Sequence, residues 1–279
     1  MKSIKKHCLF TLLVLISIAL TAIPAGAEDF TTRDLNEEQI LALSWVQNSA
    51  EFKALAFQAF NIAKLRWDMD KKGGKRCVVV DVDETLIDNS AFNAGLIGRD
   101  FGYGSSRWKE WCNDESAIAI PGAVDFLNHV ADTGGDIFYV TNRKAQPEKN
   151  MDLTEVTMNN MKKLGFPQVD EKHMMLRTGS SKKGERRSRI TDMGYRIVLL
   201  MGDNLADFAD VFDGDTMADR EAAVMANRDK FGERFIVLPN PIYGNWEGAI
   251  YGGGAWYKKS AKEKSDLRID ALRKFQFSE

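Results

Sequence analysis

The sequence predicts an α/β fold in which a doubly wound, mostly parallel sheet carries helices on both faces. Two observations predict it. Apolar runs without alternation, Cys77-Val78-Val79-Val80 and Ile197-Val198-Leu199-Leu200-Met201, read as strands buried on both faces. Between such runs lie stretches with helical spacing, so strand and helix alternate along the chain. A third observation qualifies the prediction. Asn89–Ile120 and Asn240–Trp256 break the alternation, and the first is too long for a structureless loop in a compact domain. It reads as a cap over the carboxyl edge of the sheet.

The N-terminus reads as a targeting segment. Met1–Lys6 is basic, and Leu9–Leu20 is apolar but too short to span a bilayer. Pro24-Ala25-Gly26-Ala27 offers a small-x-small cleavage site. The expectation is a signal peptide over 1–27, cleaved after Ala27, and an exported product, periplasmic or secreted; an uncleaved anchor is the alternative. Cys8 precedes the apolar run and no cysteine follows it closely, so no stable membrane anchor is expected after cleavage.

An N-terminal helical segment over 28–75 follows. Asn36-Glu37-Glu38-Gln39 reads as a capping box. Phe52, Leu55, Ala56, Ala59, Phe60, Ala63 and Trp67 share one face of a long helix that ends at Lys71–Lys75. The α/β core is expected over 76–279, with its cap insert at 89–120. After the first strand come a helix at Pro121–Thr133, a strand at Ile137–Val140 and a helix at Glu148–Leu164. A strand at Met174–Leu176, a helix at Lys183–Met193 and the strand at Ile197–Met201 continue the order. A helix at Leu205–Val211 and a strand at Phe235–Leu238 complete it. Leu267, Ala271, Leu272 and Phe275 keep helical spacing near the end.

Composition excludes several classes. The net charge is −2, with 38 basic and 40 acidic residues, so no broad basic face for nucleic-acid polymers is expected. Three cysteines cannot build a disulfide framework or a Cys-rich zinc site. Cys77 and Cys112 are expected reduced and buried. His129 and His173 lie within predicted elements and read as structural.

Chemistry-bearing residues gather at strand ends, where open α/β sheets bind ligands. Asp81 and Asp83 follow the first strand, Thr141 the second, and Asp203 and Asp207 the strand at Ile197–Met201. Lys182 and Lys183 stand at a helix start. An Asp-x-Asp in a βα loop can simply cap the next helix, but the added strand ends favour a site. Crowded carboxylates stay ionised only with a cation between them, and Mg²⁺ takes carboxylates, waters and substrate oxygens. A phosphate could complete such a set, held by Thr141, Lys183 and loop N–H groups. A carboxylate beside it is a plausible nucleophile.

These residues resemble the haloacid-dehalogenase superfamily of phosphotransferases, whose first motif is Asp-x-Asp-x-Thr. Within it, Val79–Phe92 and Ile197–Phe208 are similar to the two motifs of the class C nonspecific acid phosphatases. So are Trp45…Ser49-Ala50-Glu51-Phe52…Gln58-Ala59-Phe60-Asn61 and Leu238-Pro239-Asn240…Tyr243-Gly244…Trp246-Glu247-Gly248. Leu86-Ile87 and Phe92 depart from the usual pattern conservatively. The resemblance implies a haloacid-dehalogenase-like fold, its small helical cap built from the N-terminal helices, the insert and the C-terminal segment. It implies Asp81 as nucleophile and Asp83 as general acid/base. One Mg²⁺ would be held by Asp81, the Asp83 carbonyl and Asp203, with Asp207 supporting. Thr141 and Lys183 would bind phosphate. Lys183 rather than Lys182 rests on its spacing before Asp203. Trp108 and Tyr243 would stack on the substrate's base or ring; packing is their alternative role. Trp111 and Trp246 read as packing, and Glu84 and Asp88 as solvated or capping. Arg143 stands close enough to Thr141 to touch substrate but is not assigned to it.

The expected activity is hydrolysis of small-molecule phosphomonoesters, nucleoside 5′-monophosphates included, through an aspartyl-phosphate. A phosphotransferase using the same site is the enzymatic alternative. A non-enzymatic surface or storage protein is the other. A homodimer is left open.

Overall fold

The computed structural model describes residues 30–277. The expected signal peptide lies outside them. Among the described residues, no helix is long and apolar enough to cross a membrane.

The central strands are β1 (Lys75–Val80), β4 (Asp136–Gln146), β6 (Met174–Arg177), β7 (Tyr195–Gly202) and β8 (Phe235–Val237). They run parallel in the order β6-β4-β1-β7-β8. A short β5 (Met151–Asp152) adds antiparallel pairing to the far end of β4. The absence of alternation in β1 has the expected cause. Val78 and Val80 join one core with Trp67, Leu127 and Ile137, whereas Cys77 and Val79 join the other with Ile190, Phe208 and Phe212. Each face of the sheet therefore has its own apolar layer, and that burial drives the fold.

Helix α3 (Ala50–Met69) covers the first face with α6 (Ala123–Asp132). Ser49 caps α3 by accepting a hydrogen bond from the Phe52 N–H. Its Phe52, Ala56, Ala59, Phe60, Ala63 and Trp67 are buried as the spacing predicts. Leu55 is not: it stays 40% exposed at the margin of that face. The indole of Trp67 donates to the Thr133 hydroxyl at 2.8 Å, so the buried ring leaves no polar atom unpaired. Helix α3 is thus a layer of the core. Helix α8 (Gly184–Asp192) packs on β7 from the opposite face.

Five local expectations need correction. Asn36 does not cap a helix. It lies inside α1 (Thr32–Glu37), which Thr31 caps with Asp34, and its buried amide donates to the carbonyls of Leu96, Arg99 and Phe101. Its polarity serves to tie the insert down. Strand β4 runs on past Val140 to Gln146, because β5 returns to pair with it. Consequently the next helix, α7 (Thr154–Lys163), starts at Thr154 and not at Glu148. Residues 205–211 form two short 3₁₀ turns instead of an α-helix, since the Asp207 side chain folds back onto the Asn204 N–H at 3.0 Å. The C-terminal helix α11 (Ala261–Asp270) stops before Ala271, leaving Leu272 and Phe275 exposed.

The insert leaves and re-enters the core through a small antiparallel pair, β2 (Ile87–Asp88) with β3 (Ile118–Ala119). It carries α4 (Ser90–Ala94) and α5 (Ser105–Asp114). Asp88 caps its first turn by accepting from the Ser90 N–H at 2.7 Å. Cys77 and Cys112 are free and buried, and burial pushes each thiol up to about 12.

Candidate active site

The site begins where β1 ends. The Asp81 N–H still donates to the Met201 carbonyl at 3.0 Å, which continues the β1–β7 ladder one residue beyond the strand. Val82 is fully buried, so the two aspartates flanking it turn outward from the sheet edge. Glu84 then takes a left-handed φ of 54°, which bends the chain sharply into β2.

Asp81, Asp203 and Asp207 converge. Their carboxylate oxygens lie within 4.8 Å of one another. Lys183, the residue before α8, sends its ammonium between them and pairs with Asp81 and with Asp207, the latter at 2.6 Å. Lys183 is 5% exposed, whereas the Lys182 side chain points outward to Asp213. Gly202 makes the approach of Asp207 feasible, because a Cβ there would overlap the Asp207 carboxylate.

The electrostatics follow from crowding. Burial is the largest cause raising Asp81 well above the ordinary carboxylate value, and the negative charges of Asp207, Asp203 and Asp83 add to it against Lys183. Asp203 is raised to about 7 by burial and by Asp207. Burial works to lower the Lys183 ammonium, but Asp207 and Asp81 outweigh it and raise it. The donor set is all oxygen and more acidic than one ammonium balances. That chemistry fits a hard divalent cation.

Asp83 belongs to a second arm of the site. Its Oδ1 accepts from the Arg143 Nε at 2.9 Å and from the Asn89 amide at 3.0 Å. Its Oδ2 meets the Thr141 hydroxyl at 3.3 Å. Thr141 is fully buried, and its Oγ1 also accepts from the Arg143 N–H at 3.0 Å. Arg186 holds the Thr141 carbonyl and reaches the Asn142 side chain at 2.7 Å.

The two expected aromatic residues meet different members of this network. Trp108, on α5, meets Phe92 edge-on at 5.2 Å, and the Arg143 guanidinium lies 5.5 Å from its ring centre. Tyr243 donates its hydroxyl to Glu84. Glu84 was expected to be solvated or capping, but it is 5% exposed and also accepts from the Asn89 N–H at 3.0 Å. Burial, with Asp83 and Asp203 nearby, raises Glu84 well above the usual value. Trp111 donates to Asn89 at 2.8 Å and so ties the insert to the same network.

Sequence reasoning assigned no role to several residues that hold this arrangement. Asn240 donates to Asp203 at 2.9 Å, and the Thr85 hydroxyl reaches the other Asp203 oxygen at 3.3 Å. Both sat within segments quoted for the resemblance, Thr85 as the last letter of Asp-x-Asp-x-Thr. Asn89 also sat within Val79–Phe92, whereas Arg143 was marked only by standing close to Thr141. His129 and His173 stand apart as structural partners of Asp68 and of Asp136 with Asp170.

The chain is similar to known acid phosphatases. The family model for HAD superfamily subfamily IIIB acid phosphatases matches residues 5–246. The class C acid phosphatase from Bacillus anthracis superposes with a TM-score of 0.80 at 38% identity, covering 87% of this chain and 99% of its own. The same protein with tungstate bound matches with the same values. A stem 31 kDa glycoprotein of Glycine max is 25% identical over 175 residues, 59% of this chain and 58% of its own length. Acid phosphatase 1 of Solanum lycopersicum is 26% identical over 182 residues, 61% of this chain and 59% of its own. The match thus spans less than two thirds of either plant relative. With the family model covering most of its length and a solved relative at 38% identity, the chain belongs to the subfamily IIIB acid phosphatases of the haloacid-dehalogenase (HAD) superfamily.

Proposed function

We propose that this chain is an exported, Mg²⁺-dependent acid phosphatase that hydrolyses phosphomonoesters, nucleoside 5′-monophosphates among them, through a phosphoryl group carried on Asp81. The observation that carries the reading is the meeting of Asp81, Asp203 and Asp207 around Lys183 at the carboxyl edge of the sheet. Asp81, Asp203 and Asp207, with the Asp83 carbonyl, would hold one Mg²⁺. When bound, that ion offsets the mutual repulsion of the carboxylates and the charge of the phosphate.

The remaining work falls to the chain's own side chains. Lys183 and the Thr141 hydroxyl bind phosphate oxygens and orient the ester. The Asp81 carboxylate attacks phosphorus in line, and the bond to the leaving oxygen breaks. Asp83 delivers its proton to that oxygen, so the product leaves as a neutral alcohol. Asp83 then takes a proton from water as the water oxygen attacks phosphorus. The bond between phosphorus and Asp81 breaks, which frees inorganic phosphate and restores both carboxyls. Trp108 and Tyr243 provide ring faces for a base. Tungstate, a tetrahedral oxyanion like phosphate, was bound by the Bacillus anthracis relative, which supports an oxyanion-binding site here.

One preparation tests the reading. The protein recovered from the periplasm or medium should begin at Glu28 by intact mass. It should release phosphate from a panel of nucleotide, aryl and glycerol phosphates, lose that activity in excess chelator and regain it on adding Mg²⁺. Full activity after dialysis against chelator would remove the metal from the account. Retention of Met1–Ala27 would remove export.

A further inference from the structure

We infer that Arg143 is the positioning residue for Asp83, and that with Asn89 it reserves the Oδ2 oxygen of that carboxyl for proton transfer to the leaving group. The inference rests on the phosphatase reading above. It begins from an asymmetry between the two oxygens of Asp83. Oδ1 accepts hydrogen bonds from Arg143 Nε at 2.9 Å and the Asn89 amide at 3.0 Å, and a terminal Arg143 nitrogen pairs with it at 2.9 Å. Among the described residues, Oδ2 has only the Thr141 hydroxyl, at 3.3 Å. An oxygen that already accepts two hydrogen bonds beside a guanidinium has no lone pair to spare for a proton in transit. Oδ2 is free to carry it, and it faces the threonine that binds phosphate.

Arg143 cannot exchange this role for phosphate binding without losing its partners. Its side chain is 2% exposed, and its other donors reach Thr157 at 3.2 Å and Asn89 at 3.2 Å. Trp108 covers the guanidinium from the insert. When Oδ2 gives its proton to the leaving oxygen and the phosphorus–oxygen bond breaks, a carboxylate remains on Asp83. The adjacent guanidinium is already oriented to meet that charge, so no reorganisation is needed at the moment of transfer. When water later attacks the phosphoryl group, its proton returns to Oδ2.

The test is the dependence of kcat/KM on the leaving group. p-Nitrophenolate departs without a proton, whereas the alkoxide of glycerol phosphate needs one. Arg143→Ala should lose about hundredfold on glycerol phosphate and less than about threefold on p-nitrophenyl phosphate, given the size of general-acid contributions. Arg143→Lys should lie between the parent and Arg143→Ala, and added guanidinium ion should restore part of the glycerol phosphate rate of Arg143→Ala. Equal losses on both esters, with no rescue, would make Arg143 a structural tie and overturn the inference. Should circular dichroism show that the arginine variants do not fold, Thr157→Val reads the same question. Unequal losses in the same order support the inference, and equal losses overturn it. The parent protein separates the two ideas: if it hydrolyses neither ester, the phosphatase reading itself falls.

Discussion

At the amino ends of β4, β6 and β7, Asp136 accepts hydrogen bonds from Lys172 at 2.9 Å, His173 at 3.1 Å and Tyr195 at 2.9 Å. Asp170 pairs with the other nitrogen of His173 at 2.8 Å. Burial works to raise Asp136, but these donors outweigh it and hold it below its ordinary 3.8. At the carboxyl ends of β1 and β7 the ratio is reversed. Asp81, Asp203 and Asp207 crowd one buried ammonium, and Asp81 and Asp203 are pushed up. Both clusters draw on the same sheet and the same residue types. The difference lies in donors per carboxylate. A fully satisfied acid stabilises the fold, whereas an undersatisfied, desolvated cluster costs stability and persists where ligand chemistry uses it.

Substitutions at the two ends should therefore separate activity from stability. Asp81→Asn should reduce turnover by about 10⁴-fold or more, as loss of a nucleophile does, while the melting temperature stays the same or rises. A large fall in melting temperature would mean that Asp81 is a structural partner of Lys183. At the rim of the same site, Trp108→Ala and Tyr243→Ala should each lower kcat/KM for a nucleoside monophosphate by about tenfold, the value of one stacking face, and barely alter glycerol phosphate. Equal losses on both substrates would restrict these rings to packing. For Tyr243 the result also reads its bond to Glu84, which a stacked ring must keep.

The smallest effect on activity is expected at the opposite end. Asp136→Asn should cost about 1–3 kcal/mol of stability, the scale of hydrogen bonds to charged groups. It should leave turnover within about twofold of the parent, because well-separated sites act independently. The pH dependence has a definite sign. A carboxyl lowered in the folded state contributes stability that is present above its unfolded value near 3.8 and is lost as pH falls through the folded value. Asp136→Asn should remove that part of the acid destabilisation, as measured by melting temperatures across pH 2–7 (about five units, spanning both values). An unchanged acid profile would contradict the satisfied-acid account.

Much of this organisation was legible in the sequence. The buried strands β1 and β7, the apolar face of α3 and the strand-end positions of Asp81, Asp83 and Asp203 all follow from periodicity and from the rule that ligands bind beyond strand carboxyl ends, whereas Thr141, expected just past its strand, lies within β4. What escaped depends on partners distant in the chain. β4 extends because β5 folds back onto it, an antiparallel return that no local pattern in 141–152 announces. Glu84 is buried because Tyr243 and Asn89 close over it, and Asn36 is buried because three carbonyls of the insert need donors. The turn at 205–207 tightens because Asp207 is drawn back to Asn204 and Lys183, and apolar spacing carries no trace of that.

The most direct test of the account is to find where the phosphoryl group rests. Asp83→Asn protein mixed with p-nitrophenyl phosphate, quenched in acid within the first turnover and digested, should carry phosphate on Asp81. Phosphorylation proceeds because this leaving group needs no proton, and hydrolysis stalls because Asp83 no longer activates water. Phosphate on Asp81 and on no other residue is the predicted result. Phosphate on a different side chain, or turnover by the parent with no phosphorylated residue in either protein, would contradict it.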